Sequence, residues 1–193
     1  GYSTFQAMAW LEREGRALKP DLVLFASCHN DCSDSDEADP DWIGRTPWQR
    51  SLRRAWMSPT LTQLLRSLTL PPPRDPGIPA RQRAGFRVSL EQRRAALDRA
   101  LEVCREEEVP LVLVLMPQAL RPWPADAYIR DFRRYARENG LPLADGHQAA
   151  EEAENWSALF PPGDIVHPTA EGQREVARAV AGLLRLEGLV PSR

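Results

Sequence analysis

The sequence predicts an α/β fold, a three-layer α/β/α sandwich with a parallel sheet in the middle. Short, continuous apolar runs of the kind found in strands buried on both faces alternate with longer segments whose apolar residues recur at helical spacing. Alternation at these lengths implies right-handed crossovers, and such crossovers place parallel strands side by side with helices on both faces. Polar residues just after each strand are then the first candidates for a site.

The chain opens with a helix and a strand. The helix begins at Ser3 or Thr4, where a hydroxyl can cap it, and ends near Gly15. After a short turn, residues 22–26 form a continuous apolar run, which predicts a strand buried on both faces. This strand leads into a polar stretch, residues 27–31.

An irregular stretch extends from about residue 33 to residue 87. It is acidic at first, then rich in arginine, and it includes three consecutive prolines at 71–73. We interpret it as an insertion into a single domain that otherwise spans residues 1–193. A surface excursion is expected, with a lid over the site as the alternative.

The second half of the chain continues the alternation. Ser89 is a suitable N-cap for a helix that ends near Glu108, and residues 110–116 then form a buried strand. A helix over residues 126–139 precedes a short strand at 141–144. The last helix starts at about Thr169.

Composition excludes several classes of function. The formal net charge is only −2, and the arginines are spread among acidic residues, so no nucleic-acid interface is indicated. The longest apolar run, residues 111–116, is far shorter than the roughly 20 residues of a membrane-spanning helix. Cys28, Cys32 and Cys104 form neither a set of paired disulfides nor the repeated pairs of a structural zinc site. Oligomeric state is not readable from the sequence.

Two polar motifs could support chemistry. Asn30 and Asp31 follow the first strand, and Asp164 lies three residues before His167, which is followed by Pro168. In a loop, an aspartate at this distance can accept the histidine Nδ1–H, which fixes the tautomer and leaves Nε2 as a base. Taken alone, each motif is more often an ordinary turn.

Taken in order, these motifs belong to a longer pattern. It comprises Gly1-Tyr2-Ser3-Thr4-Phe5-Gln6, the strand that opens at Pro20-Asp21 and ends in Asn30-Asp31, and finally Asp164-x-x-His167-Pro168 before the last helix. The pattern resembles the GDSL/SGNH hydrolase superfamily over nearly the whole chain, the insertion excepted. The resemblance implies a flavodoxin-like sandwich, hydrolysis of carboxylic (acyl or acetyl) esters and no metal or organic cofactor.

The resemblance also implies roles for individual residues. Gly1 and Asn30 are similar to the two donors of the oxyanion hole, His167 to the general base and Asp164 to its orienting acid. Loss of one oxyanion donor typically lowers turnover about a hundred- to thousandfold. His29 and Asp31 are further residues that could line the site.

The sequence departs from the family pattern in two places. Cys28 occupies the position of the glycine in the Gly-x-Asn-Asp block, so a residue with a side chain replaces the glycine that normally eases the turn before Asn30. The Gly-Asp-Ser block that supplies the nucleophile is not found, and neither Ser3 nor Ser27 is a suitable substitute. We therefore expect a chain truncated at its N-terminus, with the nucleophile and the first strand upstream. Many relatives are exported, which weakly suggests an extracytoplasmic location.

Three alternatives to ester hydrolysis stay open. The same acyl-enzyme could pass its acyl group to a sugar hydroxyl, which would make the protein an O-acyltransferase. The chain could be a catalytically inactive fragment or a binding module. A metal-dependent hydrolase would instead use His29, Asp31, Asp164 and His167. The substrate could be a small-molecule, saccharide or lipid ester.

Overall fold

The computed structural model describes residues 2–27, 29–32, 86–118, 125–164 and 166–190. It confirms an α/β fold in which a parallel sheet is flanked by helices. The main elements in chain order are α1 (Thr4–Trp10), β1 (Val23–Ser27), α2 (Leu90–Glu106), β2 (Leu111–Leu115), α3 (Ala125–Glu138), β3 (Leu143–Asp145), α4 (Gly146–Glu151) and α5 (Ala170–Leu186). Short turns of π or 3₁₀ helix lie at Leu11–Gly15, Arg16–Leu18, His29–Asp31 and Trp156–Leu159.

The helix starts predicted from hydroxyl residues are confirmed. Ser3 and Ser89 each accept the backbone N–H three residues ahead, and the glutamine at that position reaches back to the capping residue. Thr169 caps α5 by accepting the N–H of Gly172 at 3.3 Å. A cap of this kind typically contributes about 1 kcal/mol because it satisfies a backbone N–H that the helix cannot.

The three described strands lie in the order β1-β2-β3, all parallel. Leu115 of β2 aligns with Ser27 on one side and with Asp145 on the other. The carboxyl ends of the strands therefore lie side by side, and the residues that follow them share one edge of the sheet. In open α/β sheets, ligands bind at this edge.

The core forms two layers around β2, whose residues are all buried. Leu113 and Leu115 are 0% exposed and join Phe25, Leu97 and Phe132 in the main cluster, on the side of α1, α2 and α3. Complete burial of a leucine side chain contributes roughly 1.5–3 kcal/mol. On the other side, side chains of β2, β3 and α5 meet in a smaller cluster: Val114, Ala144 and Val176. The sheet is thus the middle layer of three.

The prediction that the first strand is buried on both faces is wrong. Phe25 and Ser27 are buried, but Leu24 is 46% exposed and Ala26, on the same face, is also exposed. Among the described elements, α4 and α5 pack on β2 and β3 and do not cover this face of β1. Burial on a second face depends on which elements the fold places there, and an apolar run does not encode that.

The first helix follows the predicted path with one local change. Regular α-helix ends at Trp10, and the chain continues through a wider π turn, Leu11–Gly15, to the predicted stop. The predicted insertion lies outside the described residues, apart from residues 86 and 87. In the described part of the chain, every helix is too short or too polar to cross a membrane.

Candidate active site

The loop that contains Asp164 and His167 is closed at its base. The N–H of Thr169 donates to the carbonyl of Leu159 at 2.8 Å, and the Thr169 hydroxyl donates to the carbonyl of Ala158 at 3.0 Å. Gly172, in the first turn of α5, lies against the same place, because a Cβ there would be 2.5 Å from the Leu159 carbonyl oxygen. Close packing of α5 against residues 158–159 thus fixes both ends of the loop.

Within the loop, the Asp164 carboxylate organises its own neighbours. Its Oδ1 accepts the backbone N–H groups of Val166 and His167, both at 2.9 Å. Its Oδ2 lies 2.9 Å from Nδ1 of His167. These hydrogen bonds, from the two backbone groups first and then from the imidazole, lower the pKa of Asp164 to about 2. The carboxylate is therefore ionised at neutral pH, and it favours the tautomer that has its proton on Nδ1.

The imidazole of His167 faces solvent with 82% of its side chain exposed. Since Nδ1 is held by Asp164, the free lone pair is on Nε2, where it can take a proton from a nucleophile. Among the described residues, the His167 side chain is held by Asp164 of the same loop. In this part of the structure the imidazole is accessible to an incoming group.

Asn30 lies beside the start of the chain. It is part of the helical turn His29–Asp31 that follows β1, and its Nδ2 donates to the carbonyl of Tyr2 at 3.1 Å. An amide nitrogen carries two hydrogens, so one remains for another acceptor. Gly1, the other expected oxyanion donor, lies outside the described residues. The structure thus joins Asn30 to the segment that Gly1 begins.

His29 is half-buried next to the Asp164 and His167 pair. Burial lowers the pKa of His29, and the nearby charge of His167 acts in the same direction. A hydrogen bond with the Gln118 side chain, second in size to burial, and the smaller effect of the charge of Asp164 act in the opposite direction. His29 is therefore placed as a largely neutral imidazole at the expected site.

Asp31, named from the sequence as a residue that could line the site, is only 1% exposed. Its carboxylate faces the core, where Thr4 and Ser27 donate to it and Arg93 lies beside it. Ser27 is bound in this network and is itself buried. The structure therefore does not bring the Asp31 carboxylate together with Asp164 and His167.

Two residues that sequence reasoning did not select also lie near this edge. Gln118 follows β2, is 2% exposed and interacts with His29 through its side chain. Its backbone N–H donates to Nδ1 of His147 at 3.3 Å, and His147 packs edge-to-face on Trp156. The rule that selects Asn30, a polar residue just after a strand, would also have found Gln118 after β2 and His147 after β3.

A scan against protein-family models matches residues 1–175 to the model of the GDSL-like lipase/acylhydrolase family. The chain belongs to this family. Comparison with curated protein sequences gives no match.

Several solved structures of esterases and acylhydrolases share the fold. An acetylxylan esterase from Geobacillus stearothermophilus is 19% identical, with a TM-score of 0.58 over 100% of this chain and 71% of that chain. A GDSL-like lipase from Bacteroides thetaiotaomicron is 14% identical, with a TM-score of 0.57 over 96% and 72%. A putative acylhydrolase from Bacteroides fragilis is 15% identical, again with a TM-score of 0.57, over 96% and 71%.

The two described cysteines of this acylhydrolase-family chain, Cys32 and Cys104, belong to core clusters. Cys32 is buried, and its thiol donates to the carbonyl of His29 at 3.2 Å. Burial raises the pKa of the Cys104 thiol, which keeps it protonated. The described residues contain no group of three or more His, Cys, Asp or Glu side chains that could hold a metal ion. Cys28 lies outside the described residues.

Proposed function

We propose that this protein hydrolyses carboxylic esters through a Ser-His-Asp triad. His167 is the general base, Asp164 orients it, and the serine is supplied by sequence that precedes this chain. The observation that carries the proposal is the 2.9 Å contact between Nδ1 of His167 and Oδ2 of Asp164, at the carboxyl edge of a parallel sheet.

Membership of the acylhydrolase family supports the same assignment. The acetylxylan esterase with the same fold has been solved as catalytic variants at a serine, an aspartate and a histidine. In that enzyme the aspartate lies three positions before the histidine, which is the spacing of Asp164 and His167. The serine of such a triad lies near the start of that enzyme, long before its histidine.

Acylation begins when Nε2 of His167 takes the proton of the serine hydroxyl as the oxygen attacks the ester carbonyl. The carboxylate of Asp164 stabilises the imidazolium that results. The tetrahedral intermediate then collapses, its C–O bond to the alcohol breaks, and His167 returns the proton to the leaving alcohol. Water next attacks the acyl-enzyme with the same base, which releases the carboxylic acid and restores the serine.

The negative oxygen of the intermediate needs donors already in place. The free N–H of the Asn30 side chain is one candidate, and the backbone N–H of Gly1 is the other. Because the Asn30 amide is already held by the Tyr2 carbonyl, little reorientation is required as charge develops. His29 lies near Asp164 and His167, and its imidazole binds the Gln118 side chain. We propose His29 and Gln118 as residues that shape specificity.

The test compares two forms of the protein on short-chain p-nitrophenyl esters. One is the 193-residue chain, and the other carries any sequence that precedes Gly1 in the gene. We expect hydrolysis by the longer form alone, abolished by a serine-directed phosphonate. Activity of the 193-residue chain would show a nucleophile within it. Inactivity of both forms on a panel of acyl chain lengths would contradict the proposal.

The product of the same reaction separates hydrolysis from acyl transfer. An acetylated oligosaccharide is offered together with an unacetylated acceptor sugar, and free acetate is compared with acetylated acceptor. We expect free acetate to account for the ester consumed, because the open face at His167 admits water. Transfer of most acetyl groups to the acceptor would make the protein an acyltransferase.

A further inference from the structure

The Asp31 carboxylate is surrounded by donors in the core beneath the expected oxyanion hole. Its Oδ1 accepts the backbone N–H of Thr4 at 2.7 Å. Its Oδ2 lies 2.5 Å from the Thr4 hydroxyl and 2.9 Å from the Ser27 hydroxyl. The two hydroxyls also contact each other. Since each hydroxyl has one proton, both can donate to Asp31 only if neither donates to the other.

Arg93 supplies the opposite charge and is itself completely buried. Its Nε lies 3.3 Å from Oδ2 of Asp31, an ion pair without good hydrogen-bond alignment. Its Nη1 donates to the carbonyl of Tyr128 at 2.7 Å, and its guanidinium lies 4.6 Å from the ring centre of Phe132. The arginine is thus fixed by α3 on one side and by Asp31 on the other.

Two of the residues bound to Asp31, Thr4 and Ser27, each lie three positions in sequence from an expected oxyanion donor. Thr4 has the first N–H of α1, one of the groups for which a helix offers no acceptor, and Asp31 satisfies it. Asn30 is bonded covalently to Asp31, and its side chain holds the carbonyl of Tyr2. One carboxylate therefore links the segment that begins at Gly1 to the turn that presents Asn30.

We propose that Asp31, held by Arg93, is the positioning residue of the oxyanion hole. It acts through the Thr4 N–H and through its own backbone, and it touches neither substrate nor reacting atoms. This role rests on the proposed ester hydrolysis. The geometric part, that Asp31 fixes residues 2–4 relative to Asn30, is testable without any activity.

The geometric test measures amide hydrogen exchange at Thr4 in the 193-residue chain. The reference is the N–H of Leu113, which donates to the carbonyl of Pro142 at 2.9 Å and reports on the sheet. In Asp31→Asn, which keeps the shape but removes the charge, we expect the Thr4 rate relative to Leu113 to rise about tenfold. A ratio that does not change would overturn the proposal.

The matched control is Asp131→Asn. Asp131 is 4% exposed, and its Oδ1 accepts from Arg94 at 2.8 Å and from Arg134 at 2.7 Å, so it is also a buried, ion-paired aspartate. It joins α2 to α3 and does not contact the start of the chain. We expect a loss of overall stability with an unchanged exchange ratio. An equal rise of the Thr4 rate relative to Leu113 in both variants would show that Asp31 has a purely structural role.

Arg93→Lys covers the case in which Asp31→Asn does not fold. It keeps the positive charge but loses the planar contact with the ring of Phe132 and the bond to the Tyr128 carbonyl. We expect the same change in the exchange ratio in a weaker form, about two- to threefold. The absence of any change in this variant would also contradict the proposal.

The kinetic test uses the longer form that hydrolyses p-nitrophenyl acetate. We expect Asp31→Asn to lower kcat about ten- to a hundredfold while KM stays within about twofold, because the oxyanion exists only in the transition state. A change confined to KM would overturn the role. If the wild-type longer form hydrolyses no ester, the proposed function fails, and the exchange ratio still decides whether Asp31 positions residues 2–4.

Discussion

Asp31 and Asp164 each lie within three residues of a proposed catalytic group, but the protein holds them differently. The Asp31 side chain is 1% exposed and binds groups from α1, β1 and α2. The Asp164 side chain is 34% exposed, and its hydrogen bonds within the described residues go to residues at most three positions away. In the described structure, the first aspartate is bound to three elements of the fold and the second to its own loop.

Because of this difference, substitutions at the two positions should affect catalysis and the stability of the fold to different extents. A change at the exposed loop should remove activity and leave the fold intact, because few packed groups depend on it. A change at the buried carboxylate should affect both, because it leaves Arg93 without its partner charge. The loop is fixed to α5 where Gly172 packs against Leu159. A substitution at Gly172 changes this contact without changing Asp164 or His167.

The largest expected effect is on catalysis at the exposed loop. In the form that shows ester hydrolysis, His167→Ala should lower kcat about 10⁶-fold and Asp164→Asn about 10⁴-fold, because the base and its orienting acid contribute unequally. Stopped assays with p-nitrophenyl acetate measure both. Urea unfolding is the control, and we expect midpoints near that of the unchanged protein. Retention of activity within tenfold in His167→Ala would remove His167 from the mechanism.

An intermediate effect is expected at the anchor of the loop. Gly172→Ala places a Cβ 2.5 Å from the Leu159 carbonyl oxygen and 2.7 Å from Cβ of Pro168, so the base of the loop must shift. We expect a loss of roughly 1–3 kcal/mol in the free energy of unfolding, together with lower kcat. Urea unfolding and ester hydrolysis are measured on the same samples.

Gly182→Ala is the matched control for this change. Gly182 lies on the same helix, α5, and a Cβ there meets no atom within 4 Å. Alanine is the better helix former by about 1 kcal/mol, so this variant should be more stable and equally active. If both alanines had the same effect, close packing at Gly172 would not be the reason for it.

The smallest expected effect is a pH dependence from His29. Burial holds the pKa of His29 below its usual value near 6.5, so the unfolded chain takes up a proton first as the pH falls. The free energy of unfolding should therefore decrease from about pH 6.5 downward, through the lower pKa of the folded state. His29→Gln should flatten this part of the curve, measured by urea unfolding between pH 5 and 8.

Above about pH 7.5 the imidazole of His29 is neutral in both the folded and the unfolded protein. Plots of the free energy of unfolding against pH for the unchanged protein and for His29→Gln should therefore run parallel there, which serves as the internal control. An identical slope in both proteins below pH 6.5 would show that His29 is not buried in solution.

Local interactions made much of the fold predictable from the sequence. Ser89 and Thr169 cap helices with bonds that span three residues, and Gly140 adopts φ +61 just after α3, where a helix stop was expected. The open face of Leu24 was not predictable, because it depends on where α4 and α5 pack. The insertion at about 33–87 stays a prediction, as does the division of the chain into a single domain.

The candidate site was predictable to a similar degree. The spacing of Asp164 and His167 predicts their contact, because residues three apart in a loop can meet. The pattern Asn30-Asp31 did not reveal that adjacent side chains point to opposite environments, one toward Tyr2 and one into the core. The roles of Gly1, Asn30, Asp164 and His167 are proposals that the kinetic variants decide.

The open side of β1 has a consequence for how the protein behaves at high concentration. In the described part of the chain, β1 pairs only with β2, and Leu24 and Ala26 face outward from it. A free strand edge next to exposed apolar side chains is a template for another strand. Any strand that meets it, from the same protein or from a second copy, gains main-chain hydrogen bonds and buries apolar surface in one step. A further strand of the same protein and a strand of a second copy would therefore compete for the same edge.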